Sequence, residues 1–234
     1  MDPMLRALGI LPWIDWVAVV FFCAAWAGYA IFARRHGRRQ SLLETTNRVR
    51  RQWMLQTTYR EARVIDGVVI QNLSTSPSFF ASTTILIIGG LLAVLGTADK
   101  ASELARELPF AAKTSALVFD LKILLLLGIF VYAFFRFTWS MRQYTFGALL
   151  VAAAPEAARF LDEGISREAF ADKAGRIVGM AAETFNDGLR AYYFSFAVMG
   201  WLFSPYVFMG ATLGVVWVLY RREFKSDVLG VLNS

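Results

Sequence analysis

The chain has 234 residues, of which 57% are hydrophobic and 15% aromatic, and its formal net charge is +6. This apolar share exceeds the roughly 45–50% of soluble domains, so the composition excludes an ordinary soluble enzyme and indicates a membrane protein. His36 is the only histidine and Cys23 the only cysteine. One subunit therefore lacks the residues for a Ser-His-Asp triad, a two-histidine haem site, the usual zinc sites or an internal disulfide. We expect no enzyme activity, no cofactor and no bound metal.

The first apolar stretch runs from about residue 13 to residue 33. It is long enough to cross a bilayer, for which a helix needs roughly 20 apolar residues. Arg34, Arg35, Arg38 and Arg39 follow it directly, which is the reverse of the charge order in a secretory signal peptide. We predict a retained membrane anchor whose N-terminus lies outside.

The segment that follows, residues 34–78, is basic. It contains nine arginines and three acids, so its net charge of nine minus three equals the +6 of the whole chain. Arginine-rich loops are retained on the cytoplasmic side of the membrane, so this segment sets the predicted orientation. No zinc-ligand spacing or RNA-binding signature accompanies it, and we therefore expect anionic lipid headgroups as its partner, not nucleic acid. The candidate lipid contacts are Arg34, Arg35, Arg38 and Arg39. Residues 40–72 are predicted to be helical and cytosolic.

The second and third predicted spans cover residues 79–98 and 116–139. The second starts just after Pro77, a residue suited to the first turn of a helix. The apolar run 144–154 is too short to cross and is predicted to extend the third helix until Pro155. The rest of the segment 140–190 is predicted to be cytosolic, with a helix that begins after Ser166 as N-cap and stops at Asn186-Asp187-Gly188.

The fourth predicted span, residues 191–220, contains no charge over 30 residues. One alternative is a single helix that Pro205 kinks, which gives four crossings and places Arg221 and Arg222 outside, against the usual bias. The other is a re-entrant turn at Pro205, with two helical halves of about 14 residues each, shorter than a span needs. The predicted fold class is all-α, a polytopic membrane bundle of about four transmembrane helices plus cytosolic amphipathic helices. We expect one domain over residues 1–234, in a bacterial inner (cytoplasmic) membrane.

Several stretches carry a resemblance to a known family. The stretch RRQWMLQTTYREARVIDGVVIQNLSTSPSFFASTTILIIGGLLAVLG resembles the signature region of the multi-pass membrane family catalogued as domain of unknown function 599, found in bacteria and plants. FDLKILLLLGIFVYAFFRFTWSMRQY, FNDGLRAYYF and VLYRREF are similar to its later blocks. The resemblance spans residues 13 to 226. It implies a helical inner-membrane protein and lends no activity.

Three ionisable residues lie within the predicted spans near their outer ends, namely Asp15, Asp120 and Lys122. A charge at the centre of a membrane helix costs about 2.5–3.5 kcal/mol, so such groups are usually paired, hydrated or functional. Lys122 is placed to reach Asp15 or a carboxylate of a neighbouring subunit, whereas Asp120 lies about 200° from Lys122 around the helix. The functional interpretation is an ion-binding or proton-coupled site. The alternative is a structural ion pair or snorkelling side chains; Arg136, at the inner end, is interpreted as a snorkelling anchor.

Hydroxyl residues cluster where the second span begins, and Ser82, Thr83 and Thr84 are candidate pore-mouth residues. Hydroxyl groups can replace part of an ion's hydration shell, but they also bond to preceding helix carbonyls. If Arg60 or Arg63 lies beside these hydroxyl groups, the entrance of the predicted pore would attract anions.

These features predict a non-enzymatic inner-membrane protein that forms homo-oligomers and provides an anion-preferring pathway for ions or small solutes. The alternative is an accessory or scaffold subunit of a larger membrane complex that binds anionic lipid through its arginine-rich loop. A lipid-modifying enzyme is less favoured, because the acidic residues are dispersed along the chain.

Overall fold

The computed structural model describes residues 11–97, 115–162 and 164–233, except for the side chains of residues 37–40 and 233. Within these residues the chain forms helices and turns without a strand, which confirms the all-α fold class. The helices are α1 (Trp13–Gln40), α2 (Leu42–Thr57), α3 (Val64–Gly96), α4 (Ala116–Ala152), α5 (Arg159–Asp162), α6 (Arg167–Trp201), α7 (Pro205–Phe224) and α8 (Asp227–Asn233). The predicted end of the second span at residue 98 lies outside the described residues.

Three described stretches are long and apolar enough to cross a membrane, namely Trp13–His36 within α1, Val64–Gly96 and Ala116–Ala152. They correspond to the first three predicted spans, and they support a membrane protein. α4 continues to Ala152 and ends shortly before Pro155, so the predicted extension of the third helix is confirmed.

The second apolar helix begins earlier than predicted. α3 starts at Val64 and contains Pro77 in its interior, so the expectation that Pro77 marks the first turn is wrong. Proline cannot donate to the carbonyl four residues earlier, but membrane helices tolerate it when nearby groups satisfy the freed backbone. The helix therefore begins 15 residues before the predicted span, in a stretch of mixed apolar and polar residues.

The predicted cytosolic helical segment 40–72 is divided by a break at residues 58–63. Ser41 caps α2, since its hydroxyl accepts a hydrogen bond from the Glu44 N–H. After the break, the buried Asp66 in the first turn of α3 accepts hydrogen bonds from Trp53 Nε1 at 2.7 Å and Thr57 Oγ1 at 3.1 Å. These bonds hold the end of α2 against the start of α3.

α6 runs without interruption from Arg167 to Trp201. The Ser166 N-cap is confirmed, because its Oγ accepts a hydrogen bond from the Ala169 N–H at 3.1 Å. The predicted stop at Asn186-Asp187-Gly188 is wrong. Gly188 faces the ring of Phe137 so closely that a Cβ there would lie 2.5 Å from a ring carbon, so this glycine serves helix packing.

Pro205 separates two helices. α6 ends at Trp201, residues 202–204 form a turn, and Pro205 is the first residue of α7, the position that proline favours. The hydroxyl of Ser204 accepts a hydrogen bond from the Val207 N–H at 3.1 Å and caps the new helix. Of the two alternatives for residues 191–220, the single kinked helix is therefore wrong.

The chain divides into two compact units. The first unit contains the described parts of residues 1–35, 84–132 and 190–222, and the second contains those of residues 36–83, 133–189 and 223–234. Helices α3, α4 and α6 each contribute residues to both units. Neither unit is a continuous stretch of chain, so the predicted single domain stays a prediction.

Candidate intramembrane charge site

Aromatic contacts in the first unit define the directions of its helices. The ring of Phe194 in α6 lies 5.6 Å from Phe22 and 5.3 Å from Trp26, both in α1. Trp201, at the end of α6, contacts Asp15, at the start of α1. Residue numbers therefore fall along α6 as they rise along α1, and the two helices are antiparallel.

α7 runs in the same direction as α1. Its Phe208 ring lies 5.0 Å from Phe22, and its Tyr220 ring lies 6.3 Å from Phe32. The turn at residues 202–204 thus reverses the chain, and α6 and α7 form a helical hairpin. α7 has 20 residues, about 30 Å of helix, but it is not among the described stretches that are long and apolar enough to cross a membrane, so the fourth predicted span stays a prediction.

This hairpin places two pairs of basic residues at one end of the first unit. Arg34 and Arg35 follow Phe32 in α1, and Arg221 and Arg222 follow Tyr220 in α7. The two limbs of this reversal, α6 with 35 residues and α7 with 20, are longer than the two halves expected from the sequence, but neither is among the three described stretches that are apolar enough to cross a membrane.

Two buried charged residues of the first unit contact Trp201. Asp15 is 5% exposed and Lys122 is 1% exposed. Trp201 Nε1 donates a hydrogen bond of 2.5 Å to Asp15 Oδ1, and Lys122 Nζ donates one of 2.8 Å to the Trp201 carbonyl oxygen. The ammonium also lies 5.4 Å from the centre of the Trp201 ring and is attracted electrostatically by Asp15. We call these three residues the charge site.

Helix ends explain why the charge site forms here. Asp15 lies in the first turn of α1, where the positive end of the helix dipole favours a carboxylate. Trp201 is the last residue of α6, and its carbonyl has no N–H partner within the helix. Lys122 supplies that missing donor, and its positive charge suits the C-terminal end of α6.

Asp120 lies on a different face of α4 from Lys122, as its spacing predicts. It is half-buried, and its Oδ1 is buried without a hydrogen-bond partner among the described residues. The charge site as described therefore consists of Asp15, Lys122 and Trp201, with Asp120 outside it.

The three candidate pore-mouth hydroxyls have different surroundings. Ser82 is exposed, and Thr83 Oγ1 donates to the Phe79 carbonyl oxygen at 2.9 Å. Thr84 is fully buried in the first unit, where its hydroxyl lies 2.6 Å from the Tyr192 hydroxyl oxygen. Thr83 bonds to its own helix at an exposed position and Thr84 to a neighbouring side chain, and a pore-mouth role for the three residues stays a prediction.

Arg60 and Arg63 have partners at the break before α3. Arg60 forms an ion pair with Asp66, and Arg63 donates hydrogen bonds to three carbonyl groups. These carbonyls belong to Thr57, Ala154 and Pro155. Two of them follow the end of α4, so Arg63 ties this loop to the start of α3.

The condition for an anion-attracting entrance, Arg60 or Arg63 beside the hydroxyls, is not met for Ser82 and Thr83. Ser82 lies 18 residues along α3 from Val64, which corresponds to about 27 Å of helix. Arg60 and Arg63 precede Val64, so within the second unit they do not share an entrance with Ser82 and Thr83.

The candidate lipid contacts are described in part. Arg34 and Arg35 are exposed at the end of the first unit. The side chains of Arg38 and Arg39 lie outside the described residues. Lipid contact by these four residues stays a prediction.

Arg136 forms an ion pair within the second unit. Its Nη2 donates to Asp187 Oδ2, and the side chains are 29% and 6% exposed. The interpretation of Arg136 as a snorkelling anchor is therefore wrong, because its guanidinium contacts a buried carboxylate of α6. Asp187 belongs to the tripeptide that was interpreted as a helix stop.

Sequence reasoning missed Trp201 and the pairing role of Asp187. Trp201 lies in an uncharged stretch, and a single sequence carries no signal that its indole N–H serves a carboxylate 186 residues away. Asp187 did carry a signal. An arginine inside an apolar helix needs a carboxylate, and Asp187 is an acid on a neighbouring amphipathic helix.

Comparison with known proteins identifies the family but no activity. A model of the family described as "Protein of unknown function, DUF599" matches residues 17–228. Neither the curated proteins nor the solved structures contain a match to this chain. The family match covers well over half of the sequence and agrees with the resemblance carried by its second-span stretch. The chain therefore belongs to the DUF599 family of proteins of unknown function.

Proposed function

We propose that this protein is a non-enzymatic, homo-oligomeric membrane protein that provides a pathway for ions or protons, with the charge site as its coupling element. One observation carries the proposal. Lys122 and Asp15 are 1% and 5% exposed within a unit of apolar helices, yet both are ionisable. Buried charges of this kind in membrane helices are expensive, and they often mark ion or proton paths.

The chemistry of the site supports coupling. Among the described contacts, the Lys122 ammonium, which has three N–H donors, makes one hydrogen bond. With Lys122 positive and Asp15 negative the site is neutral as a whole, and the gain of one proton would leave it with a net positive charge. The charge state of the site thus depends on its proton occupancy, which is the physical requirement for coupling proton movement to a second ion.

The proposal includes no preference for anions. That preference depended on Arg60 or Arg63 lying beside the hydroxyl cluster, and about 27 Å of helix separates the start of α3 from Ser82. Lys122 is accompanied by the opposite charge of Asp15, so the charge site gives no reason for an anion preference.

A flux assay in liposomes tests the proposal. Purified protein is reconstituted, and fluxes of K⁺, Cl⁻ and protons are measured in turn with entrapped indicator dyes. We expect flux through the wild type and its loss in Lys122→Met and Asp15→Asn. The matched controls Lys173→Met and Asp162→Asn remove the same groups from exposed positions and should keep wild-type flux.

Two outcomes would contradict the proposal. Wild-type protein without flux for any of the three ions would favour the accessory or scaffold alternative. Flux that persists in correctly folded Lys122→Met and Asp15→Asn would show that the charge site is not part of the pathway. The homo-oligomer is tested separately by mass photometry of the protein in nanodiscs.

A further inference from the structure

An apolar groove lies between α1 and α7 in the first unit. Its volume is about 590 Å³, within the range of about 300–1,000 Å³ that small-molecule sites occupy. The floor consists of Ala24, Ala25 and Gly28, and a Cβ added at Gly28 would meet no atom within 4 Å. The groove is therefore open space along the helix surface.

The shape of the groove suits a long apolar chain. Its lining extends over residues 21–32 of α1, about 16 Å of helix. Aromatic side chains line the end that lies towards the C-termini of both helices, namely Tyr29, Phe32, Trp217 and Tyr220. All the lining side chains are apolar or aromatic, and none is charged.

Cationic side chains stand at the aromatic end. Because the rings of Phe32 and Tyr220 lie 6.3 Å apart, the residues that follow them are at the same end of the groove. Arg34, Arg35 and Arg221 are exposed there, and the Arg221 guanidinium lies 5.2 Å from the centre of the Trp217 ring. Guanidinium groups bind phosphate through paired hydrogen bonds.

We propose that this groove binds an anionic phospholipid, with an acyl chain over Ala24, Ala25 and Gly28 and the phosphate group at Arg34, Arg35 and Arg221. An apolar groove with cationic side chains at one end matches a molecule that has an apolar tail and an anionic headgroup. A second copy of α1 or α7 would fill the apolar part but would bring Arg34, Arg35 or Arg221 of its own towards like charges. Charge complementarity therefore selects the lipid, and the site is independent of ion flux.

Native mass spectrometry of the full chain tests the site. The protein is released from detergent micelles that contain equal amounts of phosphatidylglycerol and phosphatidylcholine with identical acyl chains. We expect selective retention of phosphatidylglycerol. Each of Arg34→Gln, Arg35→Gln and Arg221→Gln should reduce the selectivity by about fivefold, the usual contribution of one basic residue beside an anionic lipid surface.

Matched controls separate the groove from general charge and folding effects. Arg142→Gln and Arg176→Gln remove exposed arginines outside the basic segment 34–78 and should leave the selectivity unchanged. Gly28→Leu fills the floor and should reduce lipid retention, whereas Gly90→Leu, also in open space, should not. Ala24→Leu is the second filling variant if Gly28→Leu fails to fold.

Three results would overturn the proposal. Equal retention of the two lipids would show that the arginines do not select an anionic headgroup. Unchanged retention in both filling variants would show that the lipid does not bind in the groove. Loss of a dimer in Gly28→Leu with unchanged lipid retention would assign the groove to a second copy of the chain instead.

Discussion

The ring of Phe32 in α1 lies 6.3 Å from the ring of Tyr220 in α7, so these two parallel helices end side by side. Arg34 and Arg35 therefore share one end of the first unit with Arg221. Under the bias that keeps arginine on the cytoplasmic side, one orientation satisfies both basic groups. A chain that crosses the membrane four times would place Arg34 and Arg35 on one side and Arg221 on the other.

The first prediction concerns which side of the membrane each end faces. In a Cys23→Ala background, Arg35→Cys and Arg221→Cys should both be protected from a membrane-impermeant maleimide added to intact cells. Trp13→Cys, at the opposite end of α1 and 75% exposed, should react. Reaction of Arg221→Cys together with Trp13→Cys would contradict the parallel arrangement of α1 and α7 across the membrane.

The sequence predicted the parts of the fold that depend on local patterns. The length of the apolar runs located three helices, and Ser166 located the start of α6 because an N-cap acts within its own turn. The break at Pro205 was recognised as one of two alternatives. A proline restricts the local backbone, but it does not determine whether a helix bends or the chain reverses.

The missed features depend on partners that are distant in the sequence. Asn186-Asp187-Gly188 has the composition of a helix end, yet Asp187 pairs with Arg136 and Gly188 makes room for Phe137. Tertiary contacts override the local preference there. Lys122 and Asp15 were predicted as a candidate pair from their similar depths, but Trp201, which contacts both, carries no charge and gives no such signal.

The second prediction concerns the indole N–H of the charge site. Trp201→Phe keeps a ring but leaves the buried Asp15 carboxylate without this donor. The loss should lower the free energy of unfolding by about 1–3 kcal/mol. Thermal unfolding followed by circular dichroism measures this effect. Trp139→Phe, at a position 48% exposed, is the control and should unfold like the wild type; an unchanged melting temperature in Trp201→Phe would contradict the prediction.

The third prediction concerns the Arg136–Asp187 pair. Arg136→Met or Asp187→Leu alone removes one side of this ion pair, and removal of one member of a buried pair costs about 3–5 kcal/mol. We expect the lower end of that range, because the Arg136 side chain is 29% exposed. The double variant should regain most of the stability, since it leaves no isolated charge. Additive losses in a double-mutant cycle would show that the two side chains do not depend on each other.

The fourth prediction concerns packing at Gly188. The methyl group of Gly188→Ala would lie 2.5 Å from a carbon of the Phe137 ring, which is itself fully buried. Such overpacking should destabilise the protein by about 1–3 kcal/mol, although alanine is otherwise the better helix former. Gly90→Ala, with no atom within 4 Å of the new Cβ, should instead be neutral or stabilising. Chemical denaturation compares the two variants, and Phe137→Leu should restore stability to Gly188→Ala by making room for the methyl group.

Equal stability of Gly188→Ala and Gly90→Ala would contradict this prediction, because it would mean that the ring of Phe137 moves aside at no cost.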